Sequence, residues 1–246
     1  MSEPSQVNDH LVLIVGKSSS GKSASLRDLK DPEGVLYLNC EAGKKLPFRN
    51  NFITKIITKP EQIAKAFAAA EKSDKVHTIV IDTLTYLMDM CEKQLVLDSS
   101  NTMQGWQEFA QYFKQLMQQH VANSSKNVIM LAHTLDILNE KEGVMETYVP
   151  IKGSIKNNGV ESYFSTVIST KKMTVNNLEK YVEDNDLLEI TPQEQALGFK
   201  HVFQTQLTQS TVNERIRGPM GMWEQPETYI DNNAQRVLDR LHEYYS

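Results

Sequence analysis

Residues 11–23 read LVLIVGKSSSGKS, and this stretch decides the fold. Leu11–Val15 is a short, wholly apolar run ending at Gly16. Such a run, with no polar alternation, is a strand buried on both faces. Gly16-Lys17-Ser18-Ser19-Ser20-Gly21-Lys22-Ser23 then matches the pattern GxxxxGK[ST] in full. The glycines let the chain turn tightly, so that successive backbone N–H groups converge on phosphate oxygens. In this pattern the lysine, Lys22, reaches the β- and γ-phosphates, and the hydroxyl of Ser23 ligates Mg²⁺. Residues 22–29 are expected to begin a helix whose positive N-terminal end faces the phosphates.

Outward from the loop, apolar runs alternate with helical patterns. Val35–Cys40 follows a DPEG turn, Phe52–Thr58 forms a third short run, and His77–Asp82 and Asn127–Ala132 are buried strands. Between them, Ile63, Ala66, Phe67 and Ala70 share one helical face after Pro60. Leu84–Leu97 and Trp106–His120 are expected helices, with Ser99–Gln104 a polar loop. This alternation predicts an α/β fold with a mostly parallel central sheet flanked by helices. Beyond His133, residues 136–159 are expected to be a long loop or hairpin. Residues 160–175 and 198–208 are expected strands, and Asn232–Tyr245 a terminal helix. No linker divides the chain. The expectation is one domain over residues 1–246, with a core at about 10–175 and a C-terminal elaboration at 176–246.

A nucleotide site also needs a carboxylate at the end of a neighbouring buried strand. Asp82 qualifies, after Thr78-Ile79-Val80-Ile81, and would hold magnesium-bound water opposite Ser23. Thr83 follows it, where many helicase and transporter ATPases place a catalytic glutamate. The water-activating base is therefore expected elsewhere. Glu41 ends the second apolar run, expected beside the loop's strand, and can orient water for in-line attack. His133 ends the strand after Asp82, where a polar side chain can sense the γ-phosphate.

Together these pieces resemble the RecA-like ATPase core: the loop Gly16–Ser23, Glu41 after the second strand, Asp82-Thr83, the polar end residue His133, then a loop and hairpin. The segment Glu41-Ala-Gly-Lys-Lys-Leu-Pro-Phe48 also looks like small bacteriophage-encoded ATPases of that superfamily, some of which act in single-strand annealing or RecA-like recombination. The resemblance implies ATP and Mg²⁺ as ligands, subunits joined in a filament or ring, and ATP bound between neighbours. It also implies two DNA-facing loops, here about Leu97–Gly105 and Leu135–Asn158. Lys152 and Lys156 would meet the phosphates of single-stranded DNA, and Tyr148 or Trp106 would stack on a base. A single-stranded DNA-binding protein is a further implied partner. Lys152, Lys156, Arg215 or Arg217 would complete a neighbour's ATP site as a cationic finger, and the sequence does not choose among them. With about ten residues before the first strand, the polymerisation arm of larger family members is expected to be short or absent.

Composition limits the alternatives. The chain has 246 residues and a net charge of −5, so it does not coat nucleic acid by bulk charge. Residues 179–194 carry six acids and one lysine, which accounts for the whole excess. Residues 148–178 hold Lys152, Lys156, Lys171 and Lys172 against Glu161, a local balance of +3. The two cysteines, Cys40 and Cys91, sit in apolar settings without a zinc-type pattern, as packed thiols in a reducing interior. No run approaches 18 uncharged apolar residues, and MSEPSQVNDH lacks the features of a secretory signal, so a cytoplasmic, non-membrane protein is expected. The competing reading is a nucleotide-dependent switch or loader ATPase acting on protein partners, which suits the acidic balance. A small-molecule kinase is disfavoured, because no lid with paired arginines follows the sheet.

Overall fold

A computed structural model of the chain describes residues 8–246. The reading of the N-terminal MSEPSQV falls outside them. β1 (Leu11–Gly16), β2 (Val35–Asn39), β3 (Ile53–Ile56), β4 (Thr78–Asp82), β5 (Asn127–His133) and β8 (Thr166–Thr174) run parallel in one sheet. β9 (Phe199–Gln204) and β10 (Tyr229–Asp231) extend it by antiparallel pairing, giving the order β10-β9-β8-β1-β5-β4-β2-β3. β6 (Leu135–Asn139) and β7 (Val144–Tyr148) form a separate hairpin.

Alternate residues of each buried strand serve opposite faces. Leu13, Leu38, Ile81 and Met130 join the core formed with α1 (Glu61–Glu71), α2 (Leu84–Glu92) and α3 (Thr102–Gln115). Val12, Ile14, Val80 and Leu131 face the other way, toward Val237, Leu238 and Leu241. α4 (Val175–Leu178) and α5 (Pro192–Leu197) are short turns in the elaboration, and α6 (Ala234–Tyr245) is the terminal helix that the apolar spacing predicts. The fold is an α/β core with the mostly parallel sheet flanked by helices that the sequence leads one to expect.

Three expectations need correction. No regular α-helix forms over residues 22–29; Ser23–Asp28 is a six-residue 3₁₀ helix. Ser25 turns its hydroxyl back onto the Lys22 carbonyl at 2.6 Å, and Pro32 disfavours helical backbone at Asp31. Second, β2 does not lie beside β1, because β5 and β4 stand between them. Third, the loop expected over 97–105 shrinks to Asp98–Asn101. α2 continues as a π-helical turn to Leu97, and α3 already starts at Thr102, capped by the Asn101 side chain. Among the described residues, no helix is long and apolar enough to cross a membrane.

Candidate functional site

The strand order brings the ends of β1, β5, β4 and β2 together along one edge. That edge opens into a cavity of 340 Å³ lined by Lys22, Ser23, Tyr37, Glu41, Asp82 and His133. Parallel register fixes their heights: Gly16 stands opposite His133, and Asn39 opposite Asp82. The phosphate-loop pattern, Asp82, Glu41 and His133 thus meet in one place. Glu41 reaches it from the turn after β2, bridging across β4 rather than from an adjacent strand.

Lys22 is buried, and its ammonium donates to the Gly16 and Lys17 carbonyls, each at 2.9 Å, and to His133 Nδ1 at 3.2 Å. His133 Nε2 lies 3.3 Å from Glu41 Oε1. Because Lys22 can only donate, Nδ1 accepts, and the imidazole proton sits on Nε2 facing Glu41. Burial, then the charge of Lys22, lowers the His133 pKa and keeps the ring in this neutral form. Burial also lowers Lys22 to about 8. For Glu41, burial opposes ionisation, but the bonds from Lys44 (2.8 Å) and His133 outweigh it and hold the carboxylate below its usual range.

Asp82 Oδ2 accepts two hydroxyls, Ser23 at 3.0 Å and Tyr37 at 2.7 Å. Its Oδ1 is buried without a hydrogen-bond partner. Burial raises the Asp82 pKa, more than its hydroxyl bonds lower it. A buried carboxylate with one orphaned oxygen beside a serine hydroxyl is suited to a hard divalent cation.

The loop is braced from the far half of the sheet. His201 of β9 donates through Nδ1 to the Ser20 carbonyl at 2.9 Å, and Asn232 after β10 donates to the Gly21 carbonyl at 2.9 Å. Ser20 meets the Thr170 hydroxyl of β8, and Thr170 in turn donates to the Val15 carbonyl at 3.1 Å. Ser19 and Gly21 take positive φ, 61° and 107°, which curls the loop. Lys17 turns away from the cavity and pairs with Asp136 at the base of the hairpin. Ser18 and Ser19 line the mouth.

A second cleft, of 570 Å³, brings together Trp106, Tyr148, Lys152 and Lys156, the residues expected to meet DNA. Its charge is lower than the sequence balance indicates. Lys152 holds Glu92 at 2.6 Å, and Lys171 is paired with Glu214, so the +3 of residues 148–178 is partly neutralised from outside that segment. Arg215 ties down the buried Glu161 at 3.2 Å and stacks over Tyr148, while Arg217 is exposed. Cys40 and Cys91 are buried free thiols, as expected.

Sheet order, phosphate-loop pattern and strand-end carboxylate together define an α/β fold of the P-loop class. The chain belongs to the AAA_24 family, described as an AAA domain, whose family model matches residues 9–211. Among solved structures, the KaiC-like protein of the hyperthermophilic archaeon Pyrococcus horikoshii OT3 is similar, with a TM-score of 0.46 at 12% identity over 83% of this chain and 82% of that one. No curated protein sequence matches the chain.

Proposed function

We propose that the protein binds ATP with Mg²⁺ and hydrolyses it to ADP and phosphate, stimulated by single-stranded DNA, in recombination or strand annealing of the bacteriophage type. The carrying observation is that Lys22, Ser23, Asp82, Glu41 and His133 line one cavity. Lys22 leaves the loop carbonyls for the β- and γ-phosphates, toward which a buried ammonium is strongly drawn. Ser23 and Asp82 hold the magnesium, which when bound neutralises phosphate charge. Glu41 orients the attacking water and accepts its proton, and His133 holds Glu41 in place from the loop side. The setting is the cytoplasm of a bacterial host, with the chain working as a homo-oligomer alongside a single-stranded DNA-binding protein.

DNA as the partner is supported by the cleft that joins Trp106 and Tyr148 to Lys156. The test is ATP turnover with and without single-stranded DNA, with molecular size followed in parallel. DNA should raise turnover, and ATP should strengthen salt-sensitive DNA binding. Neither effect at low salt would overturn the DNA reading.

The β6–β7 hairpin favours a second reading, a switch or loader acting on protein partners. It exposes Leu135, Ile137, Leu138 and Met145, and residues 135–148 carry a net charge of −3. Such a surface suits protein better than nucleic acid. A tight protein partner, with no DNA effect on turnover, would select it.

A further inference from the structure

We infer that the acidic β6–β7 hairpin of one chain docks on a basic strip, residues 43–59, of a second copy. The strip holds Lys44, Lys45, Arg49, Lys55 and Lys59 and no carboxylate, a charge of +5. Lys44 is engaged by Glu41; the other four are exposed and have no ion-pair partner among the described residues. The hairpin holds Asp136, Glu140, Glu142 and Glu146 against Lys141. Asp136 is engaged by Lys17, which leaves the tip acidic. One chain therefore carries both members of a complementary pair.

Shape and apolar surface agree with the charge. Leu138 and Met145 stand opposite each other in the hairpin register, 55% and 52% exposed. A two-stranded hairpin is marginal on its own, and among the described residues this one is tied to the rest of the chain near its base, where Lys17 pairs with Asp136 and the Thr147 N–H donates to the Asn213 carbonyl. The strip offers a groove of 540 Å³ lined by Leu46, Phe48 and Ile56, with Ile56 55% exposed. β3 ends the sheet, so one edge of its backbone is open to a further strand. Two different surfaces on each copy give a head-to-tail contact, which closes into a ring or runs on as a filament. Lys44, Lys45, Leu46 and Pro47 also line the nucleotide cavity, so the docked hairpin sits at its mouth. This inference rests on the proposed homo-oligomer and names its interface.

The test is a pair of charge reversals, followed by sedimentation velocity. Variant one is Arg49→Glu/Lys55→Glu/Lys59→Glu, and variant two is Glu140→Lys/Glu142→Lys. Each alone should need at least about tenfold more protein to assemble than the wild type, and an equimolar mixture should recover assembly. Leu138→Ser/Met145→Ser should weaken assembly without altering charge, and circular dichroism checks that each variant is folded. Folded variants that assemble like the wild type would overturn the interface while leaving the oligomer standing. A wild type that stays monomeric with ATP at every concentration would remove both. If variant one loses single-stranded DNA binding but assembles normally, the strip is a nucleic-acid surface and the docking inference fails.

Discussion

Tyr37 donates its hydroxyl to Asp82 Oδ2 at 2.7 Å, from a buried position two residues before the end of β2. The same oxygen accepts Ser23, so the bond from Tyr37 fixes the rotation of the carboxylate and leaves Oδ1 as the orphan. Burial and the adjacent Asp82 push the Tyr37 pKa far up, so it remains a donor at every working pH. Tyr37→Phe keeps the ring and removes the donor. A hydrogen bond to a charged group contributes about 1.5–3 kcal/mol, so the Mg²⁺ concentration for half-maximal turnover should rise about tenfold or more. Titrating Mg²⁺ at saturating ATP measures this. An unchanged midpoint would deny Tyr37 a positioning role.

Lys22 carries a pH signature. With its pKa lowered to about 8 by burial, the folded protein gives up this proton before the unfolded chain does, whose ordinary value is 10.5. Stability from this group therefore rises with pH between those values, as the cost of burying the charge disappears. Phosphate binding favours the charged form, so nucleotide binding near pH 8.5 should take up protons, and affinity should fall as pH climbs past about 8. Calorimetry in two buffers of different ionisation enthalpy reads the uptake. Lys22→Ala should abolish nucleotide binding altogether. Proton uptake that is zero at this pH would contradict the buried, part-neutral lysine.

Much of this site is legible in the sequence, for a specific physical reason. Asp82 and His133 each terminate an apolar run, and parallel strands deliver their C-terminal ends to one edge. Glu41 follows the same logic one turn later. Tyr37 escapes because a tyrosine inside VLYLN reads as core. Its signal is that a buried hydroxyl must find a partner, and a strand-end aspartate is a near one. His201 and Asn232 escape more completely. They lie 181 and 211 residues from the loop carbonyls they hold, and only the antiparallel extension of the sheet brings them there. The short 3₁₀ helix after the loop is missed because the phosphate-loop pattern implies a helix, while Ser25 and Pro32 locally oppose one. The basic strip is invisible in the overall charge, since acids elsewhere cancel it.

Glu41 and His133 should separate by kinetics. Glu41→Gln removes a base and keeps the shape, so nucleotide affinity should hold while turnover falls by about 10²–10⁴-fold. Normal turnover in that variant would remove Glu41 from the base role. His133→Ala leaves the carboxylate in place but loses its anchor, so turnover should fall less, by about tenfold. The acid side of the pH profile should follow the histidine. Protonation turns Nδ1 into a donor facing the Lys22 ammonium, which breaks that link. Because burial lowers the His133 pKa, turnover in the wild type should hold until the pH falls below the ordinary histidine value of 6.5. In His133→Ala that limb should vanish. An acid limb identical in both proteins would assign it to another group.

Gly16 is held for space. A Cβ there would overlap the Thr170 and Ser20 side-chain oxygens and lie 3.1 Å from the Thr170 carbonyl oxygen. Thr170 belongs to β8, the neighbour of β1, so the Thr170 and Ser20 hydroxyls must move aside and the Thr170 backbone must give slightly to admit a methyl group. Overpacking of this kind costs about 1–3 kcal/mol. Gly16→Ala should therefore lower the melting temperature and weaken nucleotide binding together, because the displaced Ser20 is part of the loop's brace. Gly218→Ala is the matched control, since its nearest neighbour stands 3.3 Å away on the Trp223 ring. It should perturb stability less than Gly16→Ala, because only the edge of the Trp223 ring has to give. Differential scanning calorimetry with and without ATP separates the two effects. A Gly16→Ala protein that melts and binds like the wild type would mean that the loop is not clamped against β8.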